Sequence, residues 1–400
     1  MKKNFYSIFL LLFIASQIFA QCGTRYKDLI FSNVTKTSNV TFSTSNGTTL
    51  KLDVYEPTGD TAAMRPLIIL AHGGSFYGGD KASDPTVVTL CNNFAKRGYV
   101  TASINYRLGD AIQMYLDSSY AVKTVLKALS DGKSAIRFFR KDAATTNTYK
   151  VNPGIIFIGG NSAGAVLYMH SIYLDSLGEA PQNMRDTIIA YGGFEGNSGN
   201  DGYSSEANAL INLAGGVNVP EFVGPNSKPS VNFQGTADNT VPYSCAYPIN
   251  GAVQVRLCGL GVLEPLYQQF NAHHVSVLFP GDGHCPWDGS APKLTNVDTT
   301  TRNFLYDLMC TGLVGVNEIS GDNGISVYPN PVNDQVTVSL KEYARYNSIQ
   351  LTDITGKVIS EKHADASVVT FNRGQLSPGM YLIRILKKDL SSVVRKIIIE

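Results

Sequence analysis

A chain of 400 residues with 44% hydrophobic and 16% charged side chains can bury a sizeable core, which excludes disorder as the expectation and leaves room for more than one domain. A formal net charge of +1 gives no electrostatic reason to expect nucleic acid or an anionic membrane surface as a partner.

Lys2 and Lys3 precede an apolar run from Phe5 to Ala15, and the polar stretch after it ends at Ala20. That order reads as a secretory signal peptide over residues 1–20, too short to span a membrane comfortably, so no membrane span is expected once it is cleaved. All six cysteines fall between Cys22 and Cys310. An even count in an exported protein argues for disulfides, and the pairing expected here is Cys22–Cys91, Cys245–Cys258 and Cys285–Cys310, one of several that six cysteines allow.

Leu50 to Tyr55 alternates like a half-exposed strand near a sheet edge, and Pro66 to Ala71 is a continuous apolar run, as in a parallel strand covered on both faces. A helix around Val87 to Ala95, stopped by Gly98, leads into a strand over Tyr99 to Tyr106. From Ala121, Val122, Val125, Leu126 and Leu129 repeat with helical spacing, and Gly132 is expected to interrupt that helix before Ile136 and Phe139. Ile155 to Ile158 predicts a strand and Val166 to Met169 a helix. Three further strands are expected over Thr187–Tyr191, Val231–Phe233 and Val275–Phe279, with a Gly/Asn/Ser-rich stretch from Gly196 to Ser204 and an apolar patch, Ala209 to Leu213, between the first two. A last helix runs from Val297 to Leu313. Strands alternating with helices argue for an α/β fold, a mostly parallel sheet flanked by helices. Beyond a linker over residues 315–324 the pattern changes to short strands alone, which suggests a small all-β sandwich over residues 325–400. The catalytic domain expected is residues 21–314.

Between the strand and helix around residue 160 stands Gly160-Asn161-Ser162-Ala163-Gly164. A serine on such a tight strand-to-helix turn needs small neighbours, because two backbone segments nearly touch there, and the helix N-terminus behind it offers unpaired N–H groups to an oxyanion. Ser162 is the candidate nucleophile. His72-Gly73-Gly74-Ser75-Phe76 leaves an earlier strand, where an oxyanion-hole loop belongs, so the N–H groups of Gly74, Ser75 and Ala163 are the candidate donors. Asp238 follows the strand at Val231 to Phe233, and His284, in Gly281-Asp282-Gly283-His284, follows the next one. A carboxylate there can fix the tautomer of a histidine that activates the serine. Asp282 stands too close in sequence to orient His284 easily, and His273 and His274 precede their strand, at the wrong edge. His72 is read as structural, His170 as a helix-face residue and His363 as solvated. Phe76, Tyr77 and Trp287 flank the catalytic loops and are the candidate substrate-binding wall.

Over residues 45–314 these four motifs, in this order, resemble the α/β-hydrolase superfamily. HGGSF followed by GNSAG is similar to carboxylesterases and hormone-sensitive-lipase-like esterases, which commonly carry a third glycine where Ser75 stands and an aspartate where Asn161 stands. The GTxDxxVP form around Asp238 looks more like feruloyl-esterase and dienelactone-hydrolase relatives. The resemblance implies a serine esterase that cleaves carboxylic esters through an acyl-enzyme, with no cofactor and no metal. The last residues, with Val327-Tyr328-Pro329-Asn330-Pro331, Asp353-Ile354-Thr355-Gly356-Lys357 and Leu376-Ser377-Pro378-Gly379-Met380-Tyr381, resemble the type A sorting domain of type IX secretion. That implies the type IX machinery as a partner and passage through the periplasm to the cell surface or medium, often with removal of the domain. Export favours feruloylated or acetylated polysaccharide, or a polyester, as substrate. The competing readings are a serine peptidase of the same superfamily and a catalytically silent binding protein.

Overall fold

The structure, a computed structural model, describes residues 23–44, 47–174, 176–310, 325–353, 358–387 and 392–400. The expected signal peptide, Cys22 and the expected linker lie outside these residues. Strands β1 (Val34–Ser43), β2 (Leu50–Pro57), β3 (Arg65–Ala71), β4 (Val100–Ile104), β5 (Val151–Asn161), β6 (Ala209–Leu213) and β7 (Ser230–Gly235), a short ribbon of β8 (Cys245–Ala246) and β9 (Leu257–Cys258), and β10 (His274–Phe279) precede residue 280. All but the ribbon join one sheet in the order β1-β2-β4-β3-β5-β6-β7-β10. β2 runs antiparallel to both of its neighbours, and from β4 onward the pairing is parallel.

Helices α1 (Pro85–Lys96), α2 (Ala111–Leu116), α3 (Ser118–Ala144), α4 (Ala163–Tyr173), α5 (Gln182–Ala190), α6 (Leu260–Gln269) and α7 (Ala291–Cys310) connect and cover these strands. Side chains alternate across a strand, so β3 feeds two cores at once. Leu67 and Ile69 join the residues of α3 and α4, while Ile68 and Leu70 join those of α1 and α7. Burial on both faces is why its sequence is apolar throughout.

Four local expectations are corrected. β1 takes the edge, and its exposed residues from Thr35 to Asn39 are polar and show no alternation; β2 therefore lies inside the sheet, with Leu52, Val54 and Tyr55 buried. Thr187 to Tyr191 is not a strand: residues up to Ala190 belong to α5, where Met184 and Ile188, one turn apart, are buried and Ile189 is exposed. Helical burial outweighs the strand propensity of Thr-Ile-Ile. The strand of that region is β6, the former apolar patch, buried along its whole length. Gly132 does not interrupt α3; a side chain there would collide with Leu167, so the glycine lets α3 and α4 approach.

The Gly/Asn/Ser-rich stretch is fixed rather than free. Ser134 Oγ donates to Ser198 O at 2.7 Å, Arg137 Nη2 donates to Gly199 O at 2.9 Å, and Ser198 Oγ donates at 2.6 Å to Asp131, whose carboxylate also takes the guanidinium of Arg107. Polar side chains of α3 thus supply the anchoring that an apolar core would otherwise provide.

Beyond residue 325, β11 (Ile325–Tyr328), β12 (Gln335–Leu340), β13 (Tyr346–Asp353), β14 (Val358–His363), β15 (Val368–Asn372), β16 (Gly379–Lys387) and β17 (Ser392–Ile399) form two antiparallel sheets, β11-β12-β15 and β14-β13-β16-β17. Val338, Ile349, Ile383 and Ile397 fill a core of their own.

Of the expected disulfides, Cys245–Cys258 is formed, across β8 and β9. The other two are not. Cys91 is a free thiol on the sheet-facing side of α1, and Cys285 is a free thiol buried beside Asn161, so Cys310, which is disulfide-bonded, does not pair with Cys285.

Candidate active site

β5 delivers Ser162 at its C-terminal end, and α4 begins one residue later. The turn between them sets Ser162 at φ 54°, ψ −116°, with its N–H donating to Leu213 O of β6 at 2.8 Å. A side chain at Gly160 or Gly164 would run into the carbonyl oxygen of Ala71, so both glycines are required where this turn crosses the end of β3.

The loop that leaves β3 lies against the same turn: a Cβ at Gly73 would stand 3.3 Å from Ser162 Cβ. Gly74, Ser75 and Phe76 all have positive φ, at 118°, 54° and 62°. Among the described residues no acceptor engages the N–H of Gly74, Ser75 or Ala163, which leaves these three donors free for a substrate oxygen. His72 is buried beneath them, stacked on Tyr106 with its Nδ1 2.6 Å from Gly73 O, and burial holds its imidazole below the usual histidine range.

Asp238 and His284 arrive from the ends of β7 and β10. His284 Nε2 lies 2.7 Å from Ser162 Oγ and its Nδ1 lies 2.7 Å from Asp238 Oδ2. The carboxylate requires the proton on Nδ1, which leaves Nε2 to accept from the serine hydroxyl. Asp238 is itself fixed: it is fully buried, and its Oδ1 accepts from the N–H groups of Thr240 and Val241 at 2.9 and 3.0 Å. Asp282 turns away to pair with Lys293. At the start of β10, His274 bonds Glu264 and His273 stacks on Phe304, far from the serine along the strand.

Ser162 opens onto a cavity of about 90 Å³ whose wall is mostly apolar: Phe76, Met114, Val122, Val125, Val166 and Leu257 contribute, with Ser75, His170, Asn218 and Thr240 among its polar members. Of the three aromatic residues expected there, Phe76 alone lines it. Tyr77 stands outside, partly exposed, with its hydroxyl 3.0 Å from that of Tyr115. Trp287 is 1% exposed, packed against Phe233 and Phe279. Its Nε1 donates to Asn161 Oδ1 at 3.2 Å, so it supports the turn from below. Nothing in the sequence marks the residues from α2, α3 and the segment between β7 and α6 as cavity-lining, because an apolar residue facing a cavity has the same local pattern as one facing a core.

The family model BD-FAE matches residues 52–219, and that of the secretion system C-terminal sorting domain matches residues 326–400. The chain carries an esterase-like α/β-hydrolase domain followed by a sorting domain. The match to the hydrolase domain takes in Ser162 and the loop after His72 but stops short of Asp238 and His284. Esterase 2 of Thermogutta terrifontis, solved phosphonylated by cyclosarin, shares the fold, at 22% identity over 68% of this chain and 94% of that one, with a TM-score of 0.50. Among curated relatives, an endo-acting ulvan lyase of Formosa agariphila is 29% identical over 115 residues, 28% of this chain and 22% of that protein. The neuroligin-like protein glit-1 of Caenorhabditis elegans is 26% identical over 152 residues, 37% of this chain and 19% of that protein. The matches span about a fifth of the length of these curated relatives. The sorting domain marks the hydrolase domain for secretion or the cell surface. Among the described residues no helix is long and apolar enough to cross a membrane.

Proposed function

We propose that the protein is a secreted serine esterase in which Ser162 is the nucleophile, His284 the general base and acid, and Asp238 the group that orients and stabilises the imidazolium. The observation that carries this reading is the unbroken line from Asp238 Oδ2 through His284 to Ser162 Oγ, both links at 2.7 Å, at the mouth of an apolar cavity. As Ser162 Oγ attacks the ester carbonyl, its proton passes to His284 Nε2, and the oxyanion is held by the N–H groups of Gly74, Ser75 and Ala163. His284 then protonates the leaving alcohol. Water, activated by the same imidazole, hydrolyses the acyl-enzyme.

The apolar wall suits an aliphatic or aryl acyl group. Export by the type IX machinery, through the periplasm, supports a polymer-linked ester such as feruloylated or acetylated polysaccharide or a polyester. The test is hydrolysis of chromogenic acetyl, butyryl and feruloyl esters beside a peptide amide. Ser162→Ala, Asp238→Asn and His284→Ala should each lower turnover on the order of 10⁴ to 10⁶ with unchanged circular dichroism. Near-wild-type activity in Asp238→Asn would reassign the acid, preferential cleavage of the amide would indicate a peptidase, and no hydrolysis at all would indicate a binding protein.

A further inference from the structure

Three loops must keep their mutual positions for the proposed reaction: the oxyanion loop after His72, the turn carrying Ser162, and the loop carrying His284. Two side chains outside the triad tie them together. Asp84 Oδ2 accepts the N–H of Gly73 at 3.0 Å and the Nδ2 of Asn161 at 3.2 Å. Asn161 Oδ1 accepts the Sγ–H of Cys285 at 3.3 Å and the Nε1–H of Trp287 at 3.2 Å. Gly73 precedes the first oxyanion donor, Asn161 precedes the nucleophile, and Cys285 follows the base. The other oxygen of Asp84 caps α1, accepting from Thr86 and Val87, and the Thr86 hydroxyl donates to Asp288 of the His284 loop at 2.7 Å.

We infer that Asp84 and Asn161 are positioning residues that set the oxyanion loop, nucleophile and base in register. This inference rests on the esterase reading. It also explains why asparagine rather than aspartate stands before the nucleophile here. Asn161 must donate to Asp84 while accepting from two donors on its other side, which an ionised aspartate cannot do.

Asp84→Asn isolates the tie from the helix cap, because asparagine caps as well as aspartate does. The amide oxygen stays on Thr86 and Val87, and the NH₂ then meets the N–H of Gly73 and the NH₂ of Asn161, donor against donor. We expect kcat to fall roughly 10- to 100-fold, less than the loss of an oxyanion donor itself, with KM little changed. Asn161→Asp should do the same by setting two carboxylates face to face. In the double variant, Asp84→Asn with Asn161→Asp, the amide now at position 84 can donate to the carboxylate now at position 161. That variant should therefore be at least about tenfold faster than the product of the single effects predicts. Hydrogen exchange of the peptide containing Gly73 should accelerate in Asp84→Asn. A folded Asp84→Asn protein with wild-type kcat, single effects that simply multiply, or unchanged exchange at Gly73 would each overturn the proposal. If the wild-type chain hydrolyses no ester, the esterase reading fails and the exchange result still decides whether the tie exists.

Discussion

Leu126 and His170 each line two cavities: the one that opens at Ser162 and a smaller one, of about 20 Å³, bounded on its far side by Lys133, Ile188 and Phe194. His170 is held in place, with Nδ1 2.7 Å from Val166 O and Nε2 2.9 Å from Asn218 Oδ1. Leu126 is held by packing alone and is the part of the partition that a substitution can remove. Leu126→Ala is expected to join the cavities and raise the preference for an octanoyl over a butyryl ester about tenfold in kcat/KM, the scale on which apolar pockets discriminate. The truncation should lower stability by about 2–3 kcal/mol. A series of p-nitrophenyl esters of increasing chain length checks it, and an unchanged ratio would show that the two spaces do not communicate.

Acid should weaken the fold through two histidines. Burial pushes the imidazoles of His72 and His170 below their ordinary range. The unfolded chain then takes up protons that the folded chain refuses, so stability is full above the unfolded pKa near 6.5 and declines as pH falls through it. Each group contributes at most about 1.4 kcal/mol per pH unit, until its folded pKa is reached. Thermal melting between pH 8 and pH 5 should show this decline. His72→Asn, which keeps a donor for Gly73 O, should make it shallower; an equally steep decline would place the acid sensitivity elsewhere.

The two free thiols should be inert. Burial pushes the Cys285 thiol up and that of Cys91 up to about 12, and the thiolate is the reactive form. Iodoacetamide at pH 8 should alkylate neither residue in the native protein and both after unfolding, as read by mass spectrometry. Cys285→Ser should keep most of the activity, since a hydroxyl can still donate to Asn161 Oδ1, whereas Cys285→Ala should lose several-fold in turnover. Rapid inactivation by the reagent would contradict the buried placement.

The bridge Cys245–Cys258, 13 residues apart, closes the segment that brings Pro248, Ile249, Val253 and Val255 to the cavity wall. Replacing both cysteines by serine should lower stability by about 3 kcal/mol on the chain-entropy account. KM for a butyryl ester should rise while kcat changes little, because the groups proposed to do the chemistry stand outside the bridged residues 245–258. A fall in kcat alone would mean that the ribbon braces Asp238.

What sequence reveals here is what the backbone itself demands. Gly160 and Gly164 are readable as a constraint because no other residue fits beside Ala71 O, and the strand-end positions of Ser162, Asp238 and His284 follow from the alternation of strands and helices. Direction is harder to read than position. Trp287 is three residues from His284, yet its indole is buried against Phe233 and Phe279, and Cys285 between them has a φ of 49°. Thr187 to Ala190 has the residues of a strand, but only the turn before it, with Met184, shows which face is buried. Cysteine pairing is set by which buried faces meet, and nothing local in the sequence encodes that.

The backbone of Ser162, at φ 54° and ψ −116°, is one that glycine adopts freely and that another residue adopts at a cost of order 1–3 kcal/mol. If Ser162 is the nucleophile as proposed, durability and turnover pull against each other at a single position. Ser162→Gly should melt at a higher temperature than the wild type while hydrolysing nothing, as calorimetry beside an ester assay would show. A heat-selected library of this protein screened without an activity assay would be drawn toward inactive variants, and thermostabilisation should be sought with position 162 held fixed.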